Sequence, residues 1–430
     1  MGKITRRDFL KIAGAASAAG VLGHASLAQA AKHGMGSARV VVVGGGFGGA
    51  TCAKYLRRLD PGIAVTLVEP STKFITCPFS NMVLGGLRTM DSITHNFDAL
   101  KKKHGVNVVH DTVTTIDAAG KKVTLKSGKT LSYDRLVVSP GIDFKYDAIP
   151  GYSEKAAEVM PHAWKAGPQT LLLQKKLKAM KDGGTFVMVA PPNPFRCPPG
   201  PYERASMVAH YFKEHKPKSK IIILDAKDKF SKQGLFEAGW QKLYPGMIEW
   251  VSGAKGGTVK AVDVKKMVLD AELAKHKADV VNFIPAQTAG KIALASSLAD
   301  DKGWCPVDPV TFESKLHPGI HVVGDSSIAG ALPKSGFAAS SEAKMCAAAI
   351  VAMFKGESPA ANSFVNTCYS LIAPKYGISV AGVYRNTEKG ITEVPGAGGV
   401  SPKDAPDSFR EEEAKYTVGW YQSITSDIWG

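Results

Sequence analysis

Beyond its first thirty residues the chain has no uninterrupted apolar run of the roughly 18 residues that a spanning helix requires, which implies a soluble mature protein with no transmembrane segment. It contains no C-x-x-C-H, so it attaches no c-type haem through that motif. No stretch interleaves basic and aromatic residues, and the 54 Lys and Arg against 38 Asp and Glu are scattered. The net charge of +16 therefore points to solubility and an acidic partner, with no nucleic acid. No metal site is expected. Cysteine is sparse, at positions 52, 77, 197, 305, 346 and 368, and in an oxidising compartment position must decide which of the six pair.

The first thirty residues stand apart. Thr5-Arg6-Arg7-Asp8-Phe9-Leu10-Lys11 precedes a small, charge-free apolar run that closes on Ala28-Gln29-Ala30, the pattern of a twin-arginine export signal cleaved after Ala30. Removing it leaves 430 − 30 = 400 residues for a periplasmic protein that folds, and takes up any bulky cofactor, before export.

The chain then organises around Val40 to Gly49, VVVVGGGFGG. Four valines suit a strand buried on both faces, and Gly44, Gly46 and Gly49 fit G-x-G-x-x-G. Gly44 permits the turn, Gly46 lets the backbone approach a pyrophosphate, and Gly49 lets a helix over 50–59 pack on the sheet. A second strand over 64–68 ends at Glu69, and 69 − 49 = 20 is the spacing at which a carboxylate reaches a ribose. Cys77, on the turn-rich stretch that follows, is thereby placed near the same cofactor. A hairpin turning at Ser127-Gly128-Lys129 and a strand over 136–138 complete a flavin-binding Rossmann unit with an inserted meander.

A second α/β unit opens near residue 155. After its helix (167–181) and strand (185–190), the place of a nicotinamide-binding glycine fingerprint is taken by Pro191-Pro192-Asn193-Pro194-Phe195-Arg196-Cys197-Pro198-Pro199-Gly200-Pro201. Prolines offer no N–H to a pyrophosphate, so no NAD(P) is expected, and a cysteine stands where the phosphates would be. A strand over 320–323 ends in Gly324-Asp325. Asp325 is read as an acceptor for a ribityl chain, with helix capping as the alternative, and Lys334-Ser335 before a long helix (336–355) places a cation and a helix N-terminus near the same crevice. Trp304 to Asp308 reads as a surface turn. Cys52 and Cys346 lie on helices among small neighbours and read as packed thiols. From Ser358 the composition shifts to loops, aromatics and prolines with an acidic run at Glu411-Glu412-Glu413, read as a tail packed across the other domains.

Through VVVGGGFGGATCAKYL, TCPFSN, PHAWKAG, PFRCPPGPYERA, GWCPVD, HVVGD, PKSG and NTCYSLIAPKYGISVAGVYR the mature chain resembles the flavoprotein subunit of flavocytochrome c sulfide dehydrogenase. The resemblance implies an α/β fold of two Rossmann-like domains of the FAD/NAD-linked disulfide-reductase type plus a C-terminal α+β domain. The expected boundaries are 1–30 for the signal, 36–154 with 286–357 for FAD, 155–285 for the second Rossmann-like domain and 358–430 for a C-terminal domain near flavin and partner. It implies FAD held covalently by Cys77 through a thioether, and a redox disulfide of Cys197 and Cys368 beside the ring, assisted by Glu203. The expected flavin contacts are Gly44, Gly46, Phe47, Gly48, Gly49, Glu69, Pro70, Val113, Ser139, Gly141, Gly324, Asp325, Lys334, Ser335, Phe337 and Trp420.

The implied activity is hydrosulfide oxidation with electron delivery to a separate c-type cytochrome subunit. A disulfide is an electrophile for hydrosulfide, which would leave a persulfide on one cysteine and a thiolate on the other. The sequence leaves open which cysteine takes the sulfur. A structural disulfide across 368 − 197 = 171 residues is the bland alternative. The competing functions are a sulfide:quinone oxidoreductase, which would need an apolar face or amphipathic C-terminal helices to reach quinone, an NAD(P)H-dependent disulfide reductase, and a non-catalytic flavin-carrying assembly subunit.

Overall fold

The computed structural model describes residues 37–361 and 363–430; the export signal lies outside them. Ala38–Gly430 forms one compact unit. Its first sheet is parallel, with β1 (Arg39–Val43) flanked on one side by β2 (Ala64–Val68) and then β3 (Asn107–Val109). On its other side lie β4 (Arg135–Val138) and then β9 (Ile320–Val322), the latter returning from far along the chain. Val40 to Val43 are all buried, as a strand covered on both faces requires. Helix α1 (Phe47–Leu59) follows the glycines and begins three residues earlier than its apolar pattern suggests, because glycines carry no periodicity to mark a start. At Gly49 an added Cβ would sit 1.9 Å from the Gly44 carbonyl oxygen, so only glycine lets α1 lie against the turn.

The second sheet is also parallel and runs β7 (Ile248–Val251), β6 (Lys220–Asp225), β5 (Thr185–Ala190), β8 (Val280–Phe283). It is served by α2 (Pro168–Ala179), α3 (Gly200–His215) and α4 (Gln233–Leu243). The long helix α5 (Gly336–Phe354) packs on α1, burying Cys52 and Cys346 in the seam as the packed thiols expected. By length and apolar composition α5 alone among the described residues could cross a membrane, and 56% of that apolar window is buried inside the protein.

Two expectations are corrected. Residues 304–308 do not form a surface turn: Trp304 and Cys305 are buried, and Cys305–Pro306 pairs with Ser327–Ile328 in a two-stranded parallel sheet. The C-terminal segment is not the loop-rich tail its composition suggests but the α+β unit that the resemblance implies. It forms an antiparallel sheet of β10 (Ser363–Ala373), β11 (Tyr376–Thr387) and β12 (Gly390–Glu393), covered by α6 (Asp407–Trp429). The acidic run lies on α6, where Glu413 turns inward to Arg410, Ser379 and Ser401 while Glu411 and Glu412 face solvent. Mixed small and polar residues along α6 obscure its helical period, yet Ala414, Thr417, Tyr421, Ile424 and Ile428 share a buried face.

Candidate active site

A trough runs along the carboxyl ends of the first sheet. Gly44, Gly46, Phe47, Gly48, Glu69, Cys77, Ser139, Gly141, Gly324 and Asp325 line it, all of them expected flavin contacts. At one end it continues, through the shared Gly44, Glu69 and Pro140, into a recess that includes Pro70 and Val113. At the other end it meets, through Cys77, Pro78, Arg196 and Gly336, a second cavity. Cys197, Glu203, Ser335, Phe337, Cys368 and Trp420 line that cavity.

The trough fits a dinucleotide on several counts. Helix α1 has Gly46 at its N-cap, no side-chain cap and no acid in its first turn, so its leading N–H groups and dipole are free for an anion. At Gly48 an added Cβ would lie 2.5 Å from Ser139 Oγ, closing the cradle. Glu69 accepts from the Gly45 and Ser71 N–H groups at 2.8 and 3.0 Å, which aims its carboxylate across the trough and leaves lone pairs for hydroxyls. Asp325 does not cap a helix: Oδ1 is buried with no partner, Oδ2 stands 3.7 Å from the Arg196 guanidinium, and burial raises its pKa against the pull of Arg196. An orphaned buried acceptor is what a ligand hydroxyl would satisfy.

Lys334 does not line either cavity. Its ammonium donates to the Asp325 and Ser327 carbonyls at 2.8 and 2.7 Å and lies 4.0 Å from the Trp304 ring centroid, so it braces the Gly324-Asp325 turn from behind. Its carbonyl accepts from Cys197 N–H at 2.8 Å. Gly49 is likewise a packing residue behind the cradle.

Cys197 sits on the proline-rich loop in a left-handed conformation (φ 58°), a cost a non-glycine residue bears only where the surroundings fix it. Cys368 comes from the middle of β10. Both are free thiols in this structure, as are the other four cysteines, and the two share one cavity. Burial raises the pKa of each, with Cys368 and Glu203 adding to the effect on Cys197. Glu203, in the first turn of α3, accepts from Asn81 Nδ2 at 2.8 Å and from Leu371 N–H at 3.0 Å, and burial raises its pKa.

Sequence reasoning missed four polar residues around this cavity. Arg196 donates to the Trp164 carbonyl, which also accepts from Cys77 Sγ at 3.3 Å, so one carbonyl joins the tether position to the Cys197 loop. Arg204 is buried and donates to Asn81, Asn282 and the carbonyls of His162 and Ala163, fixing the loop that carries Trp164. Asn366 donates to Cys368 Sγ at 3.3 Å. Lys232, which lies behind Cys368, donates to its carbonyl at 2.8 Å and to Ser370 Oγ at 2.9 Å. Arg196, Arg204 and Asn366 belong to the motif stretches that carried the resemblance. Lys232, in an undistinguished Ser-Lys-Gln, had no such signal.

At the second sheet, the acid ending β6 is consumed internally. Asp225 accepts from Tyr202 Oη at 2.5 Å, Lys227 Nζ at 2.6 Å and Trp250 Nε1 at 3.2 Å.

Fold and trough define an FAD-dependent oxidoreductase of the pyridine nucleotide-disulphide oxidoreductase type, and that family's model matches residues 38–176. Beyond it, the flavocytochrome c sulfide dehydrogenase models match residues 170–285 (central part of the flavoprotein chain) and 360–429 (flavin-binding). The sulfide dehydrogenase flavoprotein chain of Chlorobaculum thiosulfatiphilum is 77% identical over 48 residues, 11% of this chain and 100% of that sequence. The chain belongs to this family of sulfide-oxidising flavoproteins. The mitochondrial sulfide:quinone oxidoreductase of Mus musculus is 25% identical over 315 residues, covering 66% of this chain and 65% of that one. In fold, the chain is similar to the sulfide:quinone oxidoreductase of Aquifex aeolicus (TM-score 0.71, 19% identity, 91% of each chain). It is also similar to a putidaredoxin reductase (TM-score 0.65, 17% identity, 89% of this chain and 94% of that one). Residues 3–23 match a twin-arginine signal sequence, which directs export across the cytoplasmic membrane.

Proposed function

We propose that this chain is the flavoprotein subunit of a periplasmic sulfide:cytochrome c oxidoreductase, with Cys197 and Cys368 as a redox pair and FAD tethered through Cys77. The observation that carries the reading is the meeting of two cysteines, 171 residues apart (368 − 197), in a cavity that opens into the dinucleotide trough at Cys77. In the oxidised pair, hydrosulfide opens the S–S bond, one cysteine becomes a persulfide and the other leaves as a thiolate. Bound flavin supplies a two-electron acceptor that can return electrons singly. Glu203, half-buried in the cavity of both cysteines and held by Asn81 and Leu371, is the group placed to take or give a proton there. Arg196 shares the Trp164 carbonyl with the Cys77 sulfur and faces Asp325, ordering the tether against the trough.

Three features support the finer assignments. The prolines at 191–201 and the saturated Asp225 leave the second sheet without a phosphate loop or a free ribose acceptor, which supports a reading without NAD(P). The apolar face of α6 is spent on its own sheet, which argues against quinone as acceptor and for a c-type cytochrome in a heterodimer. The matched export signal supports a periplasmic location.

Anaerobic titration of the flavin spectrum with sulfide, followed by addition of a c-type cytochrome, tests this. Bleaching by sulfide and recovery on cytochrome addition are expected. Bleaching with recovery only on a quinone would replace the acceptor, and no bleaching would remove the catalytic reading in favour of a flavin-carrying assembly subunit.

A further inference from the structure

We propose that Asn366 and Lys232 polarise the redox pair, so that hydrosulfide attacks Cys197 and Cys368 is the sulfur that leaves as a thiolate. The inference rests on the redox-pair reading above and assigns direction within it. In a thiol–disulfide exchange the better-stabilised thiolate is the better leaving group. The two sulfurs differ in what surrounds them.

Cys368 Sγ accepts a hydrogen bond from Asn366 Nδ2 at 3.3 Å. The other end of the amide is occupied: its Oδ1 accepts from Ser335 Oγ at 2.6 Å, and Ser335 Oγ in turn accepts the Ala338 N–H of α5 at 3.0 Å. The NH2 group is therefore held toward the sulfur. Behind the same residue, the buried Lys232 ammonium is anchored on the Cys368 carbonyl and Ser370 Oγ. Burial lowers its pKa to about 8, and Cys368 is the group that most strongly opposes that fall. Reciprocally, Lys232 is the strongest charge favouring the Cys368 thiolate, ahead of Asn366.

Cys197 has a different setting. Among the described residues none donates a hydrogen bond to its sulfur, and Gly200 and Trp164 crowd that side, an added Cβ on Gly200 falling 2.9 Å from Sγ and 2.7 Å from the Trp164 ring. Arg196 and Lys232 both favour its ionisation, but Cys368 and the Glu203 carboxyl oppose it more strongly. Negative charge is better accommodated on Cys368, and the sulfane sulfur belongs on Cys197.

The step balances. Hydrosulfide brings the electron pair that forms the new S–S bond to Cys197 Sγ, the Cys197–Cys368 bond breaks, and its electron pair leaves on Cys368. The product is Cys197–S–SH with its proton on the outer sulfur, plus one thiolate, so charge is conserved. Lys232 is a positioning residue here, since it touches the backbone of Cys368 and not the reacting sulfurs.

The test uses the whole flavoprotein, oxidised and anaerobic, mixed with one equivalent of sulfide, trapped with iodoacetamide and mapped by peptide mass spectrometry. The extra sulfur is expected on the peptide carrying Cys197; finding it on the peptide carrying Cys368 overturns the assignment while leaving the redox pair intact. Sulfur on neither peptide removes the redox-pair reading and this inference with it. In reduced protein, Lys232→Met should slow alkylation of Cys368 about tenfold by disfavouring its thiolate, with Lys232→Arg restoring it and Cys197 little changed. An equal rate at Cys368 in Lys232→Met and the parent would refute the role of Lys232, and the mapping on the parent protein needs no variant to fold.

Discussion

Replacing Glu342 with Gln should make the protein more stable at pH 7 while affecting it much less near pH 5. Glu342 lies on the buried side of α5, where Oε2 accepts from Gly324 N–H at 2.7 Å and from Ser327 Oγ at 3.2 Å, and burial pushes its pKa up from 4.5 to about 8. Through that interval the folded protein keeps a proton that the unfolded chain has released, so the native state binds more protons and stability falls as pH rises from 4.5 toward 8. The slope approaches about 1.4 kcal/mol per pH unit, and integrating it from pH 5 to 7 gives roughly 2–3 kcal/mol. Glutamine mimics the protonated acid: its carbonyl oxygen can accept from both Gly324 and Ser327, and it has nothing to ionise. Thermal midpoints of parent and Glu342→Gln from pH 5 to 8 would measure the difference. At roughly 1 °C per kcal/mol for a chain of this size, the variant should melt 2–3 °C higher at pH 7. Parallel curves across that range would show that Glu342 is not held protonated and refute the reasoning.

Gly49→Ala should deplete bound flavin severely, because its Cβ would fall 1.9 Å from the Gly44 carbonyl oxygen and lift α1 from the turn; the ratio of flavin to protein absorbance reads this directly. Yellow colour should survive acid precipitation in the parent and be released in Cys77→Ala, and flavin freed from the parent by acid would refute the tether. Cys197→Ser and Cys368→Ser should each lower sulfide-dependent cytochrome reduction at least a hundredfold with flavin content intact, an outcome incompatible with a purely structural bridge.

Much of this architecture was legible because glycine, proline and valine act locally. Gly44, Gly46 and Glu69 define the trough through backbone conformation and fixed spacing along one strand–turn–helix–strand unit, and the proline loop at Cys197 follows in the same way. The Trp304–Cys305 pairing was not legible, since a two-residue strand has no period and its partner at Ser327 is 22 residues away (327 − 305). The role of Lys334 was misjudged because position near a crevice does not say which way a long side chain turns, and here two carbonyls and a tryptophan face claim it. Lys232 matters through a contact across domains, meeting Ser370 from 138 residues away (370 − 232), and nothing local marks such a pairing.

Helix α6 carries Trp420 on the wall of the sulfur-bearing cavity and Trp429 against the Gly45 carbonyl of the glycine turn, 3.3 Å from Nε1 to oxygen. Nine residues of rigid helix, about 13 Å, thus work as a crossbar between the two ends of the cleft. A displacement of one tryptophan is thereby carried along the helix to the other, so the reacting end and the phosphate end of the cleft are mechanically tied.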